Sequence, residues 1–331
     1  MIYPRPVKIA GFGKYLPAEI TSQELEHKYT LPDGWSEKFS GVQTRRQVSF
    51  ETNGYMGARA IESAFDNAGL QLSDIDMIIS ASASFDYPLP NSASVIKSEL
   101  SESLQYDIPA IDIDSSCLSF VSAFEYASNL LNGTQYKRIV IVSSEVSSVA
   151  ANPGNWETLT LFGDAAVAII LQYDEDSGSQ FIKGGHRTYS EGVYDTIIKG
   201  GGNKFYFKDH PFNHELHSFA MNGKNLIRLA QKKIPEFMEW FFSDLSVSID
   251  DMDGIIPHQA SKMGLNLFRK LYPQKENQIK ESLSHYGNCI AASIPLTFCD
   301  SIEKGEIKRG DLCLLCGTSA GFSIGAVLIK Y

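Results

Sequence analysis

The chain has 331 residues, 43% of them hydrophobic, and a formal net charge of -10. That length supports a large core and about two domains, and the acidic balance argues against a protein built to meet nucleic acid or a membrane surface. Five cysteines make no disulfide framework at this size, no stretch reaches the roughly 18 apolar residues of a membrane span, and Pro4, Pro6 and Lys8 break any leader-like run, so a cytoplasmic protein is expected.

In chain order, apolar runs bounded by turn residues predict a strand at Lys8–Gly11, a helix at Gly57–Ala68 and strands at Met77–Ser80 and Ala110–Ile113. A helix at Leu118–Leu131 and strands at Ile139–Val142 and Ala165–Leu171 follow. Beyond them come a helix at Gly223–Phe242, a strand at Gly254–Ile256 and helices at Met263–Leu271 and Ile290–Glu303. Strands at Leu312–Leu315 and Gly325–Ile329 close the chain. Alternation of this kind is the mark of an α/β fold with largely parallel sheets.

The two halves resemble each other. Asp76–Ser84 reads DMIISASAS and Asp253–Ser261 reads DGIIPHQAS, 177 residues apart. Cys117 and Cys289 each open an apolar helix, 172 apart, and each helix ends in Gly followed by basic residues and an apolar strand. The pattern predicts a duplicated α/β unit, residues 1–178 and 179–331, with the boundary in Asp174–Gly185. A site is expected between the halves, where equivalent helix N-termini converge.

Cys117 is the leading candidate for chemistry. It starts an apolar helix after IDIDSS, where the helix dipole favours thiolate and dry walls protect a thioester. An inert buried cysteine fits the same segment. His258, in GIIPHQAS, follows a proline that aims it, and has no counterpart in the first half; a structural histidine is the alternative. Asn288, in HYGNCIAAS, begins the helix equivalent to that of Cys117, either as a helix cap or as a donor. The final GTSAG turn at Gly317–Gly321 is small enough to bring a backbone N–H to an oxyanion, or is simply a tight hairpin. Cys313-x-x-Cys316 lies in one apolar strand, where residues three apart face opposite sides, so no metal is expected there. Gly200–Gly202 precedes no helix and makes a poor phosphate cradle, and His210, His214 and His217 are expected at the surface.

A helix-opening cysteine, PHQAS, YGN-x-x-AAS and the C-terminal glycine turn together resemble β-ketoacyl-acyl carrier protein synthase III. The resemblance extends to GVQTRR at Gly41–Arg46, TLFGDAAVAIIL at Thr160–Leu171 and MNGKNLIRLA at Met221–Ala230. It implies a thiolase-like fold, two α/β halves in five layers (α-β-α-β-α), as a homodimer. It implies that Cys117 takes an acyl group, that the backbone N–H groups of Cys117 and Ala320 form an oxyanion hole, and that His258 and Asn288 stabilise the enolate left when a malonyl thioester loses CO₂. Acyl-coenzyme A, malonyl thioesters and acyl carrier protein are the implied partners. Coenzyme A or phosphopantetheine thioesters enter as substrates, with no bound cofactor or metal.

The order His258 then Asn288 differs from the thiolase order, and only Asp86 is acidic where hydroxymethylglutaryl-coenzyme A synthase-like enzymes need Glu. Both differences favour decarboxylative condensation. Several positions depart from the resemblance. The adenine-sandwiching Trp-x-x-x-Arg reads Trp35 to Phe39, and the docking Arg after PHQA becomes Met263 beside Lys262. Leu118 is bulkier than the residue expected beside the acyl pocket, and Tyr87 matches an aromatic side chain that reaches into a partner's tunnel. Trp35, Tyr87, Leu118, Arg228 and Lys262 are therefore the expected substrate-binding positions. Lys224, Arg228 and Lys232 share a helix face that, flanked by Lys262, Arg269 and Lys270, suits an acidic carrier. Transfer of the acyl group to another acceptor, or service as a non-catalytic partner subunit, are the alternative readings.

Overall fold

The computed structural model describes residues 4–331. Nine strands build two sheets: β1 (Val7–Tyr15), β2 (Met77–Ser80), β3 (Ala110–Asp112), β4 (Arg138–Glu145), β5 (Ala165–Tyr173), β6 (Gln180–Thr188), β7 (Gly254–Pro257), β8 (Leu312–Ser319) and β9 (Ser323–Lys330). The helices of ten residues or more are α1 (Asn53–Ala68), α2 (Ser119–Leu130), α3 (Gly223–Phe242), α4 (Lys262–Leu271) and α5 (Ser293–Glu303).

The first sheet runs β1-β5-β4-β2-β3, with the first two contacts antiparallel and the last two parallel. The second runs β6-β9-β8-β7 with the same sequence of directions. Where the first sheet has β3, the second has a single parallel bridge, Ile255 to Ile279. The duplication is thus carried strand by strand, the last strand of the second copy reduced to one residue. At the opposite edges the sheets meet, since Arg5 and Phe181 exchange backbone hydrogen bonds of 2.8 and 3.0 Å.

Alternation along the strands sorts the core into layers. Ile79, Ile139 and Val167 of the first sheet, and Leu315, Val327 and Ile329 of the second, face one shared core with Phe120 and Phe124 of α2 and Phe298 of α5. Their neighbours Ile78, Val140 and Ala168 face α1 on the outside. On the far side Leu314, Ile324 and Ala326 face Phe237 and Phe241 of α3 and Phe268 of α4. The order is α1, sheet, α2 and α5, sheet, α3 and α4: five layers. Burying one such Phe contributes roughly 1.5–3 kcal/mol, and α2 and α5 are apolar nearly all round because both of their faces are covered.

The predicted helices and strands all occur, most of them longer by one to four residues at an end. Within the two main sheets the unpredicted strand is β6, whose Gly184–Gly185 pair reads as a turn; the short strands Ala18–Thr21, Thr44–Gln47, Thr196–Ile197 and Ala220–Met221, which pair two by two, are also unpredicted. Both glycines are closely approached: a Cβ on Gly184 would lie 2.4 Å from the Glu125 carboxylate carbon, so that side chain would have to shift, and one on Gly185 would lie 3.0 Å from the Trp240 ring. Cys313 and Cys316 of β8 do face opposite cores and are free thiols. His217, which closes the one-turn helix His214–His217 before α3, stacks on Phe207 and Phe212.

Candidate active site

Cys117 sits on a tight turn between β3 and α2. Asp114 Oδ1 accepts from the Ser116 N–H at 2.7 Å, Ser116 adopts φ of +55°, and a 3-10 turn over Ser116–Leu118 leads into α2. Ser119 returns its hydroxyl to the Ser116 carbonyl at 2.7 Å. A left-handed non-glycine residue costs on the order of 1–3 kcal/mol and persists only where its surroundings dictate it; here two side-chain bonds do so. Beneath the turn, Ser115 Oγ meets Ser122 Oγ at 2.6 Å, Ser122 meets His186 Nε2 at 3.1 Å, and His186 Nδ1 meets Glu125 at 3.1 Å.

The second half repeats this turn. Asn288 Oδ1 accepts from the Ile290 N–H at 2.8 Å, Ile290 has φ of +46°, and Ser293 sends its hydroxyl to the Ile290 carbonyl at 2.9 Å. The equivalent pairs are therefore Asp114 with Asn288, Ser116 with Ile290 and Ser119 with Ser293, each 174 residues apart. This corrects the pairing of Cys117 with Cys289. Cys289 matches Ser115, is buried, and donates to the Tyr286 carbonyl at 3.4 Å; Ala291 holds the nucleophile's place. Chemical likeness of two cysteines misled where backbone hydrogen bonding sets the register.

His258 follows the end of β7. Next to it, Gln259 is fully buried and bonds the Pro257 and Lys280 carbonyls and the Ser282 and Leu283 N–H groups, pinning the turn. His258 Nδ1 lies 2.6 Å from Ser293 Oγ, while Nε2 makes no hydrogen bond among the described residues. Burial lowers its pKa to about 4, so the ring is neutral near pH 7. Asn288 Nδ2 spends one hydrogen on the Ala260 carbonyl at 3.2 Å and keeps the other. Asn288 is thus both the cap and a donor.

Cys117, His258, Asn288 and Ala320 line one cavity of about 290 Å³, between the C-terminal turn, α3 and α4. The remaining walls are mostly apolar, including Ile227, Ala230, Leu265 and Phe322. The Ala320 backbone N–H favours the charged form of the Cys117 sulfur. Burial nonetheless pushes the Cys117 thiol up to about 12, with Glu145 adding to the effect. Burial thus opposes the thiolate that the helix start is expected to favour.

Glu145 was not anticipated from sequence. It ends β4 fully buried, accepts from Ala83 N–H, Ser84 N–H and Ser84 Oγ at 2.8, 3.0 and 2.6 Å, and is pushed up to about 7 by burial. The one available signal was a carboxylate closing the apolar run IVIVSSE. Asp86 accepts from the Asn53 and Gly54 N–H groups and serves the start of α1.

The five substrate-binding positions fall differently. Leu118 is fully buried, packed toward the backbone at Gly317 and Gly325, and does not line the cavity. Tyr87 is 58% exposed and lies away from its own chain's cavity. Arg228 and Lys262 are exposed beside the lining residues Ile227 and Met263. Trp35 stands behind the lining residue Phe39, on which it stacks with ring centres 3.9 Å apart. Lys224, Arg228 and Lys232 form an exposed row on α3, whereas Arg269 is paired with Glu281.

Two family models match this chain: 3-oxoacyl-[acyl-carrier-protein (ACP)] synthase III over residues 111–190, and its C-terminal portion over residues 242–331. The β-ketoacyl-[acyl-carrier-protein] synthase III of Rickettsia canadensis is 30% identical over 328 residues, covering 98% of this chain and 99% of its own. That of Vesicomyosocius okutanii is 28% identical over 325 residues, with 98% of each chain covered. The crystal structure of 3-oxoacyl-[acyl-carrier-protein] synthase III from Aquifex aeolicus superimposes with a TM-score of 0.86 at 26% identity, over 98% of this chain and 100% of that one.

Proposed function

Because this chain belongs to the 3-oxoacyl-[acyl-carrier-protein] synthase III family, we propose that it joins an acyl group held on Cys117 to a malonyl-acyl carrier protein with loss of CO₂. It is a condensing acyltransferase of thiolase-like fold, active in fatty acid biosynthesis. The observation that carries the finer reading is the convergence of Cys117, His258, Asn288 and Ala320 on one largely apolar cavity.

The Cys117 sulfur attacks the acyl thioester carbonyl as its proton departs, and the released pantetheine thiol carries that proton away. The Cys117 and Ala320 N–H groups receive the developing oxyanion. A malonyl thioester then loses CO₂, and its enolate oxygen is held by the spare Asn288 N–H and by His258 Nε2. The Ser293 hydroxyl has one proton to give: when it turns from the Ile290 carbonyl to His258 Nδ1, the single proton of the neutral ring sits on Nε2 and points to the ligand. The enolate carbon attacks the acyl carbonyl, and collapse of the adduct frees the Cys117 thiolate. Apolar walls keep water from the acyl-enzyme.

Intact-mass measurement after incubation with acyl thioesters tests the first step, and β-keto product formation from malonyl-acyl carrier protein tests the second. Acylation of the wild-type chain and none of Cys117→Ala is expected; no added mass on either sinks the reading. Loading without condensation would favour another acceptor.

The Lys224–Arg228–Lys232 row beside the cavity supports docking of the acidic carrier. Charge reversal of Arg228 and Lys232 to Glu should raise the apparent KM for the carrier by about tenfold, and an unchanged KM removes the dock. Assembly as a homodimer is supported by the open edge of β3, where Ile111 is exposed, and by the exposed Phe85 and Tyr87 before it. Among the described residues no helix is long and apolar enough to cross a membrane.

A further inference from the structure

Phe120, Val121, Ala123, Phe124 and Ala127 of α2 are all buried, yet a polar string crosses the apolar layer in which this helix lies. Ser115 Oγ, Ser122 Oγ, the His186 ring and the Glu125 carboxylate follow one another at 2.6, 3.1 and 3.1 Å. In the neutral ring, Nδ1–H donates to Glu125, Nε2 accepts from Ser122, and the Ser122 oxygen accepts from Ser115. Each hydroxyl proton then has an acceptor. Two glycines lie close against the string. A Cβ on Gly184 would stand 2.4 Å from the Glu125 carboxylate carbon, and one on Gly325 would stand 2.4 Å from His186 Cδ2.

The second half shows that the turn itself does not require this string. The shift of 174 residues that takes Asp114 to Asn288 also takes Ser115 to Cys289, Ser122 to Leu296 and Glu125 to Cys299, all three fully buried. There the same backbone device closes over an apolar set, which serves a core as well as a hydrogen-bonded one does. The polar version accompanies the nucleophile. None of its four residues lines the cavity, so the string reaches the substrate only through Cys117. It grips that residue from both sides. Ser115 begins the turn two residues before it. Leu118, the residue after it, stands with His186 over Gly325, whose added Cβ would lie 3.2 Å from Leu118 Cδ1. Ser122, His186 and Glu125 have the connectivity of a hydrolase triad, but the Ser122 hydroxyl is buried against Ser115 and away from the cavity.

We propose that Ser115, Ser122, His186 and Glu125 are positioning residues for the nucleophile, fixing the turn so that the Cys117 sulfur and N–H stay in register with the Ala320 N–H during acyl loading. The inference rests on the reading of Cys117 as the acyl acceptor. A reacting atom held loosely loses rate even when substrate still binds, so the string acts on the speed of loading and leaves the affinity for the donor alone.

Single-turnover loading of Cys117, followed by intact mass over a range of acetyl and octanoyl thioester concentrations, separates the loading rate from the half-saturating donor concentration. Ser122→Ala and His186→Leu should each slow loading about tenfold, the scale of one hydrogen bond, with half-saturation within about twofold of wild type. His186→Gln, whose amide reaches toward the Ser122 hydroxyl, should recover to within about threefold of wild type. Both sites act through one string, so the Ser122→Ala/His186→Leu double variant should be no slower than the slower single. Thermal unfolding of the same samples gives the folded fraction of each. Wild-type loading rates in both single variants, additive losses in the double, no recovery in His186→Gln, or losses that follow the folded fraction each overturn the proposal. Failure of the wild-type chain to load either acyl group removes the acyl-acceptor reading first, and this inference with it.

Discussion

The turns at Asp114–Ser119 and Asn288–Ser293 are one backbone device put to two uses. Both place a left-handed residue two positions after a capping side chain, and both fasten it with a serine hydroxyl three residues on. In the first, the cap is a carboxylate and the residue after the strained one is Cys117. In the second, the cap is an amide and the matching residue is Ala291. Changing Asp to Asn keeps the oxygen that caps and adds an N–H that points elsewhere. Changing Cys to Ala removes the nucleophile. In the proposed reaction, few atoms separate the half that would hold the acyl group from the half that would steady its attacker.

Asn288→Asp breaks this contrast most severely. It should keep the Ile290 cap, since Oδ1 still accepts there, while losing the bond to the Ala260 carbonyl, removing the spare donor and placing a negative charge beside the enolate. Condensation should fall about 10²- to 10³-fold, as for loss of one oxyanion donor, with acyl loading of Cys117 retained. Stopped-flow or product assays of the two half-reactions separate the effects, and equal loss in both would show that only folding was harmed.

Ser293→Ala comes next. It leaves His258 Nδ1 without its partner, so the ring proton is free to settle on either nitrogen. Condensation should drop by about tenfold, the scale of one neutral hydrogen bond, while loading is unaffected. Nitrogen chemical shifts of the His258 ring report the tautomer directly, and an unchanged spectrum refutes the positioning role. Ser119→Ala, its counterpart in the first half, touches no histidine and should leave that spectrum alone.

The smallest effect is in pH. Burial lowers the pKa of His258 from 6.5 to about 4. The stability this group contributes is present above about pH 6.5 and is lost as pH falls toward 4. The rate of condensation per acyl-enzyme should therefore hold through pH 6.5 and decline only near 4. A decline centred near 6.5 would place the ring in contact with bulk water.

Much of this arrangement was legible before the fold was known. The repeated II-x-x-x-AS segment located β2 and β7, and the helix at Gly223–Phe242 agrees end to end. His258 and Asn288 stood out because their segments repeat and their residue types do not. What escaped was set by contacts between distant segments. Strand β6 hid behind two glycines that lie close against Glu125 and Trp240, Leu118 turned inward because β8 and β9 leave room at Gly317 and Gly325, and Ser293 looked like an ordinary helix-start serine. The true register of the duplication lay in side chain to backbone bonds, which no spacing of cysteines can reveal.

The meeting of Arg5 with Phe181 has a consequence for how many neighbours the molecule can accept. It ties the outer margins of β1 and β6 together, and the Ile279 segment covers the far margin of the second sheet. Of the margins of the two main sheets, β3 is left unpaired among the described residues. A body with a single bonding valence can complete itself with one like body and then has nothing further to offer. In the proposed homodimer, the asymmetry between the copies, a full strand in one and a lone bridge in the other, would end sheet growth at a pair and keep a sheet-rich chain from extending into fibres.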